Sequence, residues 1–180
     1  MSQKVKTLLE QIHIALKKEV PTRGLLLPQG FDSANFQFVK GEHLLNFPYR
    51  YLDFPKHFKN KEMLTFRTLF WWGHFFVFAL MLEGEFLAQY KRNILAHYSG
   101  FSDQGLFILM TETPWEWRLE SKYLLEIRRD NQAEVKKALA SRTFLKIHRY
   151  LNFDQAAVRE GKGVHEALKT FRLLAPLLKS

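Results

Sequence analysis

One group of residues has the types and spacing of a hydrolytic metal site. Glu120 and Lys122 follow a predicted strand with the E-x-K spacing of metal-dependent nucleases. In that chemistry an upstream carboxylate, Asp103 or Glu112, shares a magnesium ion with the glutamate, and the lysine orients or activates water. E-x-K is short and arises often by chance, and a surface ion pair at a helix start also explains it. A metal-dependent phosphodiesterase therefore stands as an alternative hypothesis.

Other catalytic signatures are missing from the sequence. The chain has no cysteine, which excludes disulfides, thiolate zinc sites, iron–sulfur clusters and cysteine nucleophiles. It contains no G-x-S-x-G, no H-E-x-x-H and no G-x-x-x-x-G-K-[ST], and its seven histidines show no H-x-H or H-x-x-x-H spacing. We therefore predict no metal site and no cofactor, and a non-catalytic function is favoured while enzymatic activity is left open.

Basic charge is concentrated towards the C-terminus. The chain carries a net charge of +9, and residues 120–180 hold thirteen Lys or Arg against seven Asp or Glu. Three of the basic residues share one face of a predicted helix. Binding of such a face to the phosphates of a nucleic acid releases the counterions of those phosphates, which favours association. The leading hypothesis is thus a binding module for a polyanion, nucleic acid first, although a solvated helix face explains the same pattern. The predicted contact residues are Arg128, Arg129, Lys136, Lys137, Arg142, Lys146 and Arg149, of which Arg142, Lys146 and Arg149 share the face.

Aromatic residues form a second candidate binding feature. Four of them, if exposed, could stack nucleic-acid bases, while packing in the core or on an edge strand is the structural alternative. They are Tyr49, Tyr51, Trp115 and Trp117. Arg50 and Asp53 lie among the first two and would either recognise a charged ligand group or form a local salt bridge.

The middle of the chain is an uncharged aromatic stretch, residues 69–82, which reads LFWWGHFFVFALML. It is too short to cross a bilayer, which takes roughly 20 apolar residues. We predict a β-hairpin with a two-residue turn at Gly73-His74, in which Trp72 faces Phe75. Both faces of such a hairpin are apolar, so it should lie centrally, covered by helices, a second subunit or an apolar ligand.

Exposure of part of this hairpin would give a third class of function. The chain would then be a homodimer or protein-interaction domain that is sensitive to charged substitutions at Phe76 or Phe78.

The N-terminal segment has no secretory signal pattern, and Glu10 and Glu19 argue against a transit peptide. We therefore expect a soluble cytoplasmic protein without a membrane segment.

The elements that position these residues can be predicted from periodicity. A first helix is predicted from the helical spacing of Val5, Leu8, Leu9, Ile12 and Leu16, after a Ser2 cap and before Pro21. Short extended segments follow at 24–28, at 35–39 with a turn at Lys40-Gly41, and at 46–55. The prolines at positions 48 and 55 favour an edge strand for the last of these, and 56–63 has the composition of a polar loop or a single helical turn.

Beyond the hairpin, a second helix should follow Glu83 and Glu85 and end near Gly100. Buried strands are predicted at 106–113 and 115–119. From Glu120 onwards the pattern is mostly helical. It includes a capping box formed by Asn131 and Glu134, a bend near Arg142 and a last helix that ends near Pro176. The helical stripe after the bend is Phe144, Ile147, His148 and Leu151, and that of the last helix is Val164, Leu168 and Phe171.

Together these elements predict an α+β fold. The expected architecture is a mainly antiparallel sheet built around the central aromatic hairpin, flanked by helices, with a helical C-terminal third, residues 120–180, packed on the sheet. One domain should span residues 1–180. Strand order does not follow from a single sequence.

Overall fold

A computed structural model describes residues 2–20, 24–59, 61–155, 158 and 160–180. Within them the protein has an α+β fold with a seven-stranded antiparallel sheet, which confirms the predicted fold class. The strands are β1 Gln37–Leu44, β2 Phe47–Lys59, β3 Glu62–Trp71, β4 Phe75–Glu83, β5 Phe107–Leu109, β6 Leu124–Glu126 and β7 Phe144–Asn152. They lie in the order β1-β2-β3-β4-β7-β5-β6.

Helices cover one face of this sheet, which we call the helix face. They are α1 Ser2–Leu16, α2 Leu87–Ala96, α3 Tyr98–Phe101, α4 Gln132–Ala140 and α5 Gly163–Leu174, with short 3-10 turns at Ser121–Tyr123, Arg129–Asn131 and Ala175–Leu178. The apolar stripe of α1 is buried at Val5, Leu9, Ile12 and Leu16, as its spacing predicts. The predicted stop at Pro21 lies outside the described residues. No helix in the described part of the chain has the length and apolar character needed to cross a bilayer.

The aromatic hairpin is β3 and β4, and it lies in the middle of the sheet as predicted. Its register is one residue away from the predicted one, because Phe70 faces Phe76 and the connecting loop has three residues, Trp72 to His74. Gly73 adopts φ +73° in this loop, a conformation that favours glycine. A slip of one residue moves every β4 side chain to the other face. Leu64 and Phe66 therefore share the helix face with the even-numbered residues of β4.

Both faces of the hairpin are apolar and covered, as expected. Phe76 and Phe78 are buried in the core beneath the helices. They consequently offer no free surface to a second subunit, in contrast to the interface hypothesis built on them.

Strand β2 differs from its prediction in position and length. It continues to Lys59, into the segment predicted as a loop at 56–63, and β3 begins at Glu62. It lies between β1 and β3, so it is an interior strand rather than an edge. Pro55 is tolerated because the register shifts around it, between Asp53 and Lys56. Pro48 is the second residue of β2, and its carbonyl accepts a hydrogen bond from the Trp72 amide at 3.1 Å. The edge on this side of the sheet is β1, which runs through the predicted turn at Lys40-Gly41. Segment 24–28 contributes a single bridge, at Leu25.

The largest difference between the predicted and the observed elements lies in the C-terminal third. The segment predicted to bend and continue as a helix after Arg142 is β7, which pairs with both β4 and β5. Its side chains are largely buried on both faces, so apolar residues occur at helical and strand spacings alike and periodicity does not separate the two. The predicted strand at 115–119 is a loop, and the last helix is confirmed as α5.

Helix α4 is present, but without the predicted capping box. Asn131 precedes its first residue and makes no side-chain cap. The Asn131 side chain instead accepts a hydrogen bond from the Arg128 amide at 2.9 Å, because a 3-10 turn leads directly into the helix. The second predicted helix is present as α2, in which Tyr90 and Ile94 are buried, but it ends at Ala96, and the predicted end near Gly100 falls in the separate helix α3.

Candidate ligand-binding cleft

The second face of the sheet, which we call the cleft face, carries polar as well as aromatic side chains. A loop of residues 110–120, which we call the cover loop, connects β5 towards β6 and packs over part of this face. Beside the loop lies a cleft of about 420 Å³ between strands β1 to β3 and two tryptophans of the loop, Trp115 and Trp117. Ligand sites of small molecules typically fall in the range of about 300–1,000 Å³.

A buried ion pair forms the floor of the cleft. Asp53 on β2 and Arg67 on β3 are directly opposite each other, and Arg67 donates from Nε and Nη2 to the two carboxylate oxygens, both at 2.7 Å. Both side chains are almost fully buried. Because desolvation offsets much of the attraction between buried charges, such a pair contributes little net stability compared with apolar residues. Its position at the base of an opening is therefore a functional indication.

Aromatic rings surround this ion pair. The Arg67 guanidinium carbon lies 3.8 Å from the centroid of the Tyr51 ring, and 5.7 Å and 5.6 Å from those of Trp115 and Trp117. The Tyr49 and Tyr51 rings are stacked, with centroids 6.1 Å apart. Trp115 is 51% exposed, so a flat aromatic surface faces solvent at the mouth of the cleft.

The cleft is lined by a second basic side chain. Lys56 lines the opening, and its Nζ lies 5.9 Å from the centroid of the Phe58 ring. Phe58 in turn lies beside Trp115, with ring centroids 6.2 Å apart. The cleft thus combines exposed rings with two basic side chains and one carboxylate, Asp53, which is already paired.

Lys146 of β7 fastens the cover loop over the sheet. Its Nζ donates to the backbone carbonyls of Pro114 at 3.0 Å and Glu116 at 2.6 Å, and lies 3.2 Å from the centroid of the Trp117 ring. Burial lowers the pKa of Lys146 well below its ordinary value, the nearby Arg67 lowers it further, and Glu116 opposes both effects. The two carbonyls satisfy donors that would otherwise be buried without partners.

Arg142 fastens the beginning of the same loop. Its guanidinium donates to the carbonyls of Met110, at 3.1 Å, and of Thr111, and stacks 4.7 Å from the centroid of the Phe144 ring. Burial lowers the pKa of Arg142. The cover loop is therefore attached to the sheet through its backbone at two places.

Next to this cluster, His148 is buried in the sheet. In the register of the strands it lies opposite Ala79, which is itself opposite Arg67. Neither ring nitrogen has a hydrogen-bond partner among the described residues, and the ring packs against Phe107 at 6.1 Å between centroids. Burial, with a smaller contribution from Lys146, lowers the pKa of His148 to about 3. The imidazole is consequently neutral at neutral pH.

The predicted basic helical face does not form. Arg142, Lys146 and Arg149 belong to β7 or its approach, where side chains alternate between faces with a period of two. Lys146 points into the cleft face, whereas Arg149 lies on the helix face and forms an ion pair with Glu166 of α5 at 2.5 Å. These three residues therefore make no common surface.

The remaining predicted basic residues lie at the surface. Arg128 pairs with Asp130 at 3.1 Å, and Arg129 pairs with Asp103 at 3.3 Å. Lys136 and Lys137 are exposed on α4. None of these four residues lines the cleft.

The predicted E-x-K constellation is dispersed. Glu120 pairs with Lys122 at 2.9 Å at the start of a 3-10 turn, which matches the surface ion-pair explanation. Asp103 is engaged by Arg129, and Glu112 is exposed on the cover loop. Across the described residues, no group of three or more His, Asp or Glu side chains could hold a metal ion.

Part of the cleft is visible in the sequence. The predicted candidates that line it are Tyr49, Tyr51, Asp53, Trp115 and Trp117, whereas Arg67 and Lys56 are not among the predictions. The signal for Arg67 is its position as the only charged residue between Met63 and Leu82. An isolated charge at an inward position of an apolar strand requires a partner.

Comparison with other proteins gives little further information. No family model matches the chain, and no curated protein shows significant similarity to it. Among solved structures, a conserved hypothetical protein from Pyrococcus furiosus is similar, with 18% sequence identity, a TM-score of 0.36 and coverage of 96% of this chain and 99% of that chain. That protein is described as hypothetical, and no ligand follows from the likeness.

Proposed function

We propose that the protein is a non-catalytic binding module for single-stranded nucleic acid, and that the ligand occupies the cleft. The observation that carries this proposal is the convergence of exposed aromatic rings with a basic side chain at one opening. Trp115 and Phe58 supply the exposed rings, and Lys56 supplies the positive charge, because the charge of Arg67 is already paired with Asp53. A site for unpaired bases needs this combination, because bases stack on aromatic rings while cations attract the backbone.

Stacking favours single strands over duplexes. The half-exposed Trp115 ring offers a surface to a base only if that base is unpaired and turned outwards. Each base stacked on an aromatic side chain contributes about 1–3 kcal/mol. The duplex hides its base faces, so it meets only the charge of the protein.

The net charge of +9 adds a general attraction for any polyanion. This attraction depends on counterion release and falls steeply as salt increases. Stacking is much less sensitive to salt. The difference between single and double strands should therefore widen as ionic strength rises.

The experiment is a fluorescence-anisotropy titration of labelled single-stranded and double-stranded DNA and RNA over a series of salt concentrations. Magnesium is present in one set and replaced by chelator in another, and the products are checked on a gel. We expect tighter binding of single strands at every salt concentration and no cleavage. Cleavage that needs magnesium would instead support the phosphodiesterase hypothesis.

Paired variants locate the site. Trp115→Ala should weaken single-strand binding by about tenfold, in line with the loss of one stacked base. Lys56→Gln should weaken it and reduce its salt dependence, whereas Lys137→Gln, which removes an exposed lysine of α4 outside the cleft, should leave the preference for single strands unchanged. Equal binding of single and double strands, or binding that depends on Lys136 and Lys137 and not on Trp115, would overturn the proposal.

A further inference from the structure

Strand β1 forms one edge of the sheet and pairs only with β2 among the described strands. An edge strand presents unpaired backbone amide and carbonyl groups, which can pair with another strand. The outer side of β1 is thus a surface on which the sheet can be extended.

Apolar side chains are exposed beside this edge. Phe36 and Phe38 are 45% and 40% exposed, and Ile14 on α1 is 60% exposed. The His13 ring of α1 contacts both phenylalanines, because its centroid lies 4.1 Å from that of Phe36 and 5.8 Å from that of Phe38, and Ile14 follows His13 in the chain. A contiguous group of exposed large apolar residues is typical of an interaction surface.

The charge around the edge is suited to self-association. Between residues 24 and 47 the charged side chains are Asp32, Lys40 and Glu42, so this segment is nearly neutral in a chain of net charge +9. The segment itself therefore adds little to the repulsion between two copies, and the nearest basic neighbour on the sheet is Arg50 of β2, opposite Lys40.

The two charged residues of β1 are complementary to themselves. Lys40 and Glu42 flank Gly41, form an ion pair at 2.5 Å and are more than half exposed. In a two-fold antiparallel pairing centred on Gly41, Lys40 faces Glu42 of the second copy, and Glu42 faces its Lys40. Lys40 and Phe38 are two positions apart on the strand and therefore share a face, so the exposed phenylalanine lies beside the ion pairs.

We propose that β1 pairs with β1 of a second copy of this chain in an antiparallel, two-fold symmetric dimer centred on Gly41. The register shift between Gly41 and Leu44 keeps the new ladder short. Recognition therefore rests on the two reciprocal ion pairs and on the apolar group at Phe36, Phe38 and Ile14. The dimer forms through the outer backbone edge of β1 and does not require nucleic acid, although Gln37 and Leu44 of the same strand line the cleft.

The test is sedimentation velocity of the full chain without nucleic acid, from about 1 to about 200 µM. The wild-type chain should be dimeric at the upper end of this range. Lys40→Glu and Glu42→Lys should each raise the dimer dissociation constant by about tenfold or more, because each sets like charges opposite each other. The double variant carrying both changes should restore the dissociation constant to within about threefold of wild type.

Lys6→Glu provides the matched control. Lys6 pairs with Glu10 in a similarly exposed position on α1, so its reversal also breaks one surface ion pair but should leave association unchanged. Circular dichroism and thermal melting of each variant confirm that the fold is intact. A wild-type chain that stays monomeric at every concentration, or a double variant that associates no better than the single ones, would overturn the proposal.

Discussion

His148 shows how burial alone fixes the charge state of a single residue. Its pKa is lowered from an ordinary value of 6.5 to about 3 in the folded protein. Between these two pH values the unfolded chain binds a proton that the folded chain does not. The folded state is consequently at its most stable above pH 6.5 with respect to this residue, and it loses stability as the pH falls to 3.

We predict that His148→Phe reduces the acid sensitivity of the fold. The wild-type chain should lose up to roughly 5 kcal/mol of unfolding free energy through this residue between pH 6.5 and pH 3. The variant has no proton to bind there, so its unfolding free energy should fall less over the same interval. Urea unfolding at a series of pH values measures the difference. His165→Phe on the exposed side of α5 is the control, and equal pH slopes for both variants would contradict the prediction.

The contribution of the Asp53–Arg67 ion pair to stability can be tested in the same way, by substitution of single residues. Removing one partner leaves the other charge buried without compensation, which typically costs about 3–5 kcal/mol. Arg67→Met should therefore destabilise the fold strongly, while Asp53→Leu combined with Arg67→Met should cost much less than the sum of the single changes. Guanidinium unfolding of the four chains gives the coupling. Additive effects would show that the two residues act separately.

At the scale of elements, the β3–β4 loop depends on one glycine. Gly73 has φ +73°, and a Cβ there would lie 3.1 Å from the Phe47 ring. We expect Gly73→Ala to lower the unfolding free energy by about 1 kcal/mol or more. Gly100 in α3 is the matched control, because nothing lies within 4 Å of an added Cβ and alanine favours the helix. Thermal melts that show the same loss for both variants would exclude this explanation.

The cover loop depends on contacts to its backbone. Lys146→Met keeps most of the apolar stem and removes the hydrogen bonds to the carbonyls of Pro114 and Glu116. Loss of two buried hydrogen bonds should destabilise the fold by about 1–3 kcal/mol and loosen the loop. Acrylamide quenching of tryptophan fluorescence should then increase, since Trp115 and Trp117 both belong to the loop. Unchanged quenching would mean that the loop is held elsewhere.

Periodicity identifies helix α1 but not strand β7, whereas the β3–β4 hairpin is identified by its uncharged aromatic run and its turn glycine. Helix α1 buries one stripe and exposes the rest, so its spacing identifies it from sequence. Strand β7 is buried on both faces, and Phe144, Ile147 and Leu151 then fit a helical period as well as a strand. The predicted register of the hairpin is wrong for a local reason, because the residues around Gly73 are compatible with a two-residue loop as well as with a three-residue loop.

At the scale of the whole molecule, the cleft could be predicted as components but not as a site. Aromatic and charged candidates near Tyr51 and Trp115 are visible in the sequence, but they are 64 positions apart and meet only because the cover loop packs over β2 and β3. Asp53 and Arg67 become partners through strand register. Convergence of this kind depends on strand order, which local patterns do not contain.

Because the cover loop is held through its backbone, its side chains can change during evolution and give the protein new binding specificities. Lys146 and Arg142 bind carbonyl groups, which every amino acid possesses, so the path of the loop does not depend on most of its side chains. Trp115 can therefore be exchanged while the scaffold around it stays in place. Backbone groups hold the loop in place, whereas the Trp115 side chain faces the ligand. The loop is therefore a suitable target for directed evolution, and a library of substitutions at Trp115 should alter ligand preference with little loss of stability.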